Sequence, residues 1–102
     1  MATLEEITQK IRHAAASGAN VGCTIKLDLK GEGVIHIDGA AVTNDDRPAE
    51  LVVSVSRADL EALGRRELDP MRAIMTGRMK LSDMGLAMKL QPAIQTLFAK
   101  AV

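Results

Sequence analysis

The sequence predicts an α+β fold, an antiparallel-rich sheet covered on one face by helices. Three observations carry this. Residues 23–30 and 34–38 alternate apolar and polar without a fault. Most strand-like segments lie together rather than alternating with helical ones. The helical segments carry clear start signals and one apolar side each. At 102 residues the chain fits one domain, spanning 1–102.

The elements follow in order. Thr3 to Glu6 spells T-x-x-E, a capping box, and Leu4, Ile7, Ile11 and Ala14 follow at helical spacing. This predicts a helix over about 3–16, stopped by Ser17-Gly18. In "CTIKLDLK" (23–30), Cys23, Ile25, Leu27 and Leu29 face inward and Thr24, Lys26, Asp28 and Lys30 outward. "GEG" (31–33) is a turn, and "VIHID" (34–38) resumes the alternation, so the pair should form an antiparallel hairpin. "AAV" (40–42) adds a short strand after Gly39, "TNDDRP" (43–48) is a polar loop, and "ELVVSVS" (50–56) is another strand.

Ser56 to Asp59 caps a helix whose apolar side is Leu60 and Leu63, with Gly64 at its end. Asp69-Pro70 starts the next, because a capping acid precedes a proline whose missing N–H costs nothing there. Met71, Ile74 and Met75 give its stripe, and Gly77 closes it. "RMKLS" (78–82) reads as a strand with Met79 and Leu81 on one face. A helix over about 84–90 follows, and Pro92 opens the last one, striped by Ile94, Leu97, Phe98 and Ala101.

Composition excludes several classes. Thirteen basic and thirteen acidic side chains cancel. A nucleic-acid binder needs a positive footprint to release counterions, so none is expected. The net charge gives no reason to expect strong attraction to anionic membranes, and no segment reaches the roughly 20 apolar residues of a span, so no stable membrane insertion is expected. Cys23 is the single cysteine and no signal peptide opens the chain, which points to the cytoplasm.

Little here points to catalysis. His36 stands on the polar face near Asp38 and across from Asp28, and it reads as a solvated cross-strand pair. As a general base it lacks a nucleophile beside it. Two histidines and one cysteine at these spacings fit no zinc site, so no metal or cofactor is expected. Gly31, Gly33 and Gly39 form no phosphate cradle. Arg65-Arg66 reads as a solvated pair complementing a helix end, with an anionic headgroup or coenzyme A phosphate as the alternative.

The methionines are more informative. Five of six fall within residues 71–88, and the chain has one aromatic residue, Phe98. On a helix, Met84, Ala87, Met88 and Gln91 share one side and Leu86 and Leu90 the opposite one. Such a helix has two apolar faces and needs two partners. Either both layers are ordinary core with methionine filling gaps, or the second face lines a cavity that adapts to its contents.

"MGLAMKLQ" (84–91), preceded by "DPMRAIMTGRMKLS" (69–82), closely resembles the sterol carrier protein 2 family, also called SCP-2 sterol-transfer or non-specific lipid-transfer domains. The layout upstream, including "IKLDLKGEGVIHIDG" and "AELVVSVSRADL", agrees over nearly the whole chain. The resemblance implies a five-stranded, mostly antiparallel sheet, helices on one face, and a hydrophobic tunnel between them. It implies non-catalytic binding of a fatty acid, acyl-CoA, isoprenoid or sterol-like lipid. By position, Met75, Met79, Leu81, Met84 and Met88 are the candidate tunnel wall, with Gln91 a polar group at its inner end or rim. Ile94, Leu97 and Phe98 would cover the mouth, the last helix serving as lid. The alternative function is an accessory module that docks a protein of a lipid or quinone pathway.

Two departures from the family pattern stand out. Ser82 meets Asp83 directly where members usually carry a glycine between, so the start of the following helix is expected to differ. The chain ends Lys100-Ala101-Val102 rather than in an S-K-L-type address, which implies a stand-alone, bacterial-type domain without peroxisomal import.

Overall fold

A computed structural model describes residues 3–16, 23–39 and 41–100. The elements run α1 (Leu4–Ala16), β1 (Thr24–Asp28), β2 (Val34–Asp38), β3 (Ala41–Thr43), β4 (Leu51–Val55), α2 (Arg57–Gly64), α3 (Pro70–Met75), β5 (Met79–Leu81), α4 (Met84–Lys89) and α5 (Gln91–Lys100). The predicted α+β class holds. Five strands form one sheet in the order β3-β2-β1-β4-β5. All neighbours are antiparallel except β1 and β4, which run parallel. The Ser17-Gly18 helix stop, Ala40 at the start of the third strand and Ala101 in the last stripe fall outside the described residues.

Local chemistry sets most boundaries. The Thr3 hydroxyl accepts from the Glu6 N–H at 3.2 Å while the Glu6 carboxylate accepts from the Thr3 N–H at 3.3 Å. These bonds, to the backbone first and the hydroxyl second, hold the Glu6 carboxyl below its ordinary value. Ser56 caps α2 by accepting from Asp59 at 3.1 Å, and Asp69 caps α3 by accepting from Met71 at 3.0 Å. The second helix ends at Gly64, as expected. The left-handed conformation falls to Arg66, with φ 62°.

The hairpin forms with Ile25 opposite Ile37 and Leu27 opposite Ile35. Gly33 has φ 135°, and a Cβ there would run into the Leu4 side chain. The tight hairpin turn therefore packs directly on the start of α1.

The inward strand residues meet Ile7 and Ile11 of α1, Leu60 and Leu63 of α2, and Leu97 and Phe98 of α5 in one core. Arg12 ties α1 to the sheet edge by donating to the Val42 carbonyl through Nε and Nη2, at 3.1 and 2.8 Å.

The opposite face departs from expectation. Because β3 is an outer strand and β4 lies beyond β1, the loop 44–50 must cross the sheet. It does so over the face that alternation left wet. His36 is only 5% exposed and its Nε2 lies 3.1 Å from the Pro48 carbonyl oxygen. Its cross-strand neighbour is Lys26, not Asp28, and Lys26 pairs with Asp46 at 2.8 Å. The expected solvated His–Asp pair is thus replaced by a histidine buried under a loop.

Candidate functional site

Between sheet and helices lies an apolar cavity. β4 supplies Val53 to its wall and β5 supplies Met79 and Leu81. α2 and α3 add Leu63, Met71 and Ile74, α4 adds Ala87 and Met88, and α5 adds Ile94 and Phe98. Its free volume is about 40 Å³. That is room for a water or two and far below the roughly 300 Å³ at which small-molecule pockets begin. Gln91 and Gln95 give it polar groups on the α5 side, and the Gln95 amide donates to the Leu63 carbonyl at 3.1 Å, fixing α5 against α2. The cavity adjoins a wider open groove, with which it shares Leu63, Pro70, Met88, Gln91 and Gln95.

The candidate residues separate. Met79, Leu81, Met88, Gln91, Ile94 and Phe98 come together around the cavity. Met75 and Met84 do not: they are 83% and 43% exposed and line no part of it. Leu97 is buried in the core behind the wall. The reason is helix geometry. α3 and α4 have six residues each, and their methionine stripes are wider than the arc that faces the cavity. On α3 that arc takes Met71 and Ile74 and leaves Met75 outside. On α4 it takes Ala87 and Met88, while Leu86 and Leu90 pack on the core.

Ser82 and Asp83, which follow one another directly, have separate duties. Ser82 extends the β4–β5 pairing, its Oγ accepting from Val52 at 2.9 Å, and Asp83 at once caps α4 by accepting from Leu86 at 3.0 Å. α5 packs on both α1 and α2 and sinks Leu97 and Phe98 into the core. It is a wall of the core as much as a cover.

Sequence reasoning missed Val53, Leu63, Pro70, Met71, Ile74, Ala87 and Gln95 as lining residues. Several carried a signal: Val53 alternates with Ser54 in step with Leu51 and Val55, and Met71 and Ile74 belong to the same stripe as Met75.

The chemistry of this site is apolar containment. No acid, base or nucleophile lines it. Cys23 sits elsewhere, partly buried, and burial first and Glu50 second push its thiol upward, away from reactivity. Among the described residues no cluster of three or more His, Cys, Asp or Glu side chains is arranged to hold a metal.

The sequence pattern of the SCP-2 sterol transfer family matches residues 2–95. The chain belongs to that family. It is 45% identical over 49 residues to stomatin-like protein 1 of Homo sapiens, a stretch that is 47% of this chain and 12% of that protein. It is 37% identical over 54 residues to sterol carrier protein 2 of Oryctolagus cuniculus, 52% of this chain and 10% of that one. The match thus spans only a small part of each relative.

Among solved structures, sterol carrier protein 2 like 2 from Aedes aegypti superposes with a TM-score of 0.71 at 23% identity, covering 85% of this chain and 92% of that one. Sterol carrier protein 2 of the same organism, in complex with palmitate, gives 0.69 at 21% identity over 90% and 94%. A UbiJ-SCP2 ubiquinone synthesis protein gives 0.60 at 16% identity over 99% and 93%. These likenesses establish the fold. Among the described residues no helix is long and apolar enough to cross a membrane.

Proposed function

We propose that the chain is a non-catalytic carrier that shields the acyl chain of a fatty-acid-class lipid between its sheet and helices. The observation that carries this is the apolar cavity walled by Met79, Leu81, Ala87, Met88, Ile94 and Phe98, in a domain whose structural relative holds palmitate. Burial of each CH₂ contributes about 0.8 kcal/mol, so an acyl chain needs volume rather than specific chemistry.

The walls leave about 40 Å³, so loading requires them to part. The short helices α3 and α4 are the movable wall, because their cavity-facing methionines Met71 and Met88 are half exposed and carry unbranched, flexible side chains. α5 stays anchored in the core by Leu97 and Phe98. Gln91 and Gln95 meet the polar end of the lipid at the mouth.

The test is native mass spectrometry of the protein purified without detergent, before and after palmitate is added. One palmitate per chain, displaced by other long acyl chains, is the expected outcome. No uptake across the soluble range of palmitate would reject the reading and make the methionines packing residues. The likeness to the UbiJ-SCP2 ubiquinone synthesis protein supports a second reading, an accessory module that docks a protein. A co-purifying partner together with no lipid uptake would select it.

A further inference from the structure

Among the described residues every exposed large apolar side chain is a methionine: Met71, Met75, Met84 and Met88. Leucine has nearly the same helix propensity and a similar value when buried, so neither helix formation nor burial calls for methionine here. What sets the thioether apart is its flexibility and its reactivity toward oxidants.

Met71 and Met88 belong to the wall and to the surface at once. They line the apolar cavity, from α3 and α4 respectively, and are 47% and 54% exposed. A small oxidant can therefore reach these side chains while the wall stays closed. Met79 lines the same cavity from β5 but is only 6% exposed, so the wall shields it. Met75 and Met84 are exposed and line no part of the cavity. Met88 and Gln91, three residues on, also border the open groove beside the cavity.

We propose that Met71 and Met88 are a reversible oxidation site that loosens the cavity wall and weakens its hold on an acyl chain. The oxidant is hydrogen peroxide, which transfers one oxygen atom to the thioether sulfur. The sulfur gives up two electrons, the peroxide O–O bond breaks, an S=O bond forms, and water leaves. A flexible apolar side chain becomes a strongly polar acceptor. Only Gln91 and Gln95 among the lining side chains carry donors, and Gln95 already donates to the Leu63 carbonyl. An oxygen facing the cavity would stand unpaired there, which costs free energy. The oxidised Met88 side chain therefore turns to the groove, toward water and the Gln91 amide, and the wall loses its apolar contact. The use of this site rests on the carrier reading, but the order of oxidation and the loosening of α4 do not.

The test is graded peroxide treatment mapped by peptide mass spectrometry, followed by palmitate titration and amide hydrogen exchange. Met71, Met75, Met84 and Met88 should each gain an oxygen well before Met79. Palmitate affinity should fall about fivefold or more, and methionine sulfoxide reductase should restore it. M75L/M84L, which changes no cavity residue, should show the same fall. M71L/M88L should bind equally before and after peroxide, whatever its starting affinity. These swaps conserve volume, and circular dichroism checks that each variant is folded.

Undiminished affinity once Met71 and Met88 are oxidised would overturn the proposal. So would a fall that persists in M71L/M88L, which would trace the effect to Met79 or Cys23. Exchange measured without lipid keeps the two readings apart. Faster exchange at Ala87 to Lys89 after oxidation, reversed by the reductase, in a chain that takes up no palmitate removes the carrier reading alone. Palmitate uptake that oxidation leaves unchanged removes the oxidation site alone.

Discussion

Met84 and Met88 lie one turn apart on the same six-residue helix, at similar exposure, yet only Met88 lines the cavity. Changing each to glutamine separates the cavity from the surface. Methionine and glutamine have similar helix propensity and length, so neither change should move stability by more than about 0.5 kcal/mol. At position 88 the amide must either face the acyl chain unpaired or turn outward and give up its apolar contact. Both routes cost about 1–3 kcal/mol of binding, a five- to hundredfold loss of palmitate affinity. At position 84 the affinity should stay within about twofold of the starting protein. Isothermal titration with palmitate in detergent-free, vesicle-free buffer reads the affinities, and urea unfolding checks the stabilities. Equal losses at both positions, or none at 88, would refute the placement of the wall.

Phe98→Ala removes a ring that is 3% exposed and should cost about 3–5 kcal/mol in urea unfolding, yet it should bind palmitate more tightly, because volume is present before the helices move. Weaker binding by a folded F98A would argue against a wall that must open. Gly33→Ala forces a Cβ into Leu4 at φ 135° and should cost about 1–3 kcal/mol, read as a lower urea midpoint. The lowered Glu6 pKa gives stability that is present above the ordinary value of 4.5 and lost as pH falls through the folded value. Thr3→Ala removes the hydroxyl part of that shift, so the Glu6 titration followed by NMR should move up toward 4.5.

Features set by neighbours three or four residues apart were legible in the sequence. The caps at Thr3, Ser56 and Asp69 and the hairpin of Ile25 and Leu27 with Ile37 and Ile35 need only local spacing, and the structure has them. The parallel pairing of β1 with β4 was not legible, because it joins strands separated by two others in the chain. That pairing sends loop 44–50 over the sheet, and His36 is buried by the loop rather than by its own strand pattern. The cavity was half legible. Periodicity names a stripe, but the fraction of a stripe that faces inward depends on how a short helix is tilted, so Met75 and Met84 were grouped with Met79 and Met88 although they point away. Arg66 in the left-handed region had no sequence signal, since glycine is the residue that normally marks it.

The loop that crosses the sheet also decides where the molecule can breathe. It holds β1 and β2 from outside through Lys26–Asp46 and His36–Pro48, and Thr24 and Glu50 exchange two hydrogen bonds, 3.2 and 2.8 Å, where β1 meets β4. The sheet is thus clamped between the core on one side and a strap on the other. The short helices α3 and α4 have no such strap. Amide hydrogens should register this as a gradient, with those of β1, β2 and β4 exchanging slowest and those of Ala73 to Met75 and Ala87 to Lys89 fastest among the helical ones. An acyl chain that fills the cavity should slow the second group and leave the first unchanged.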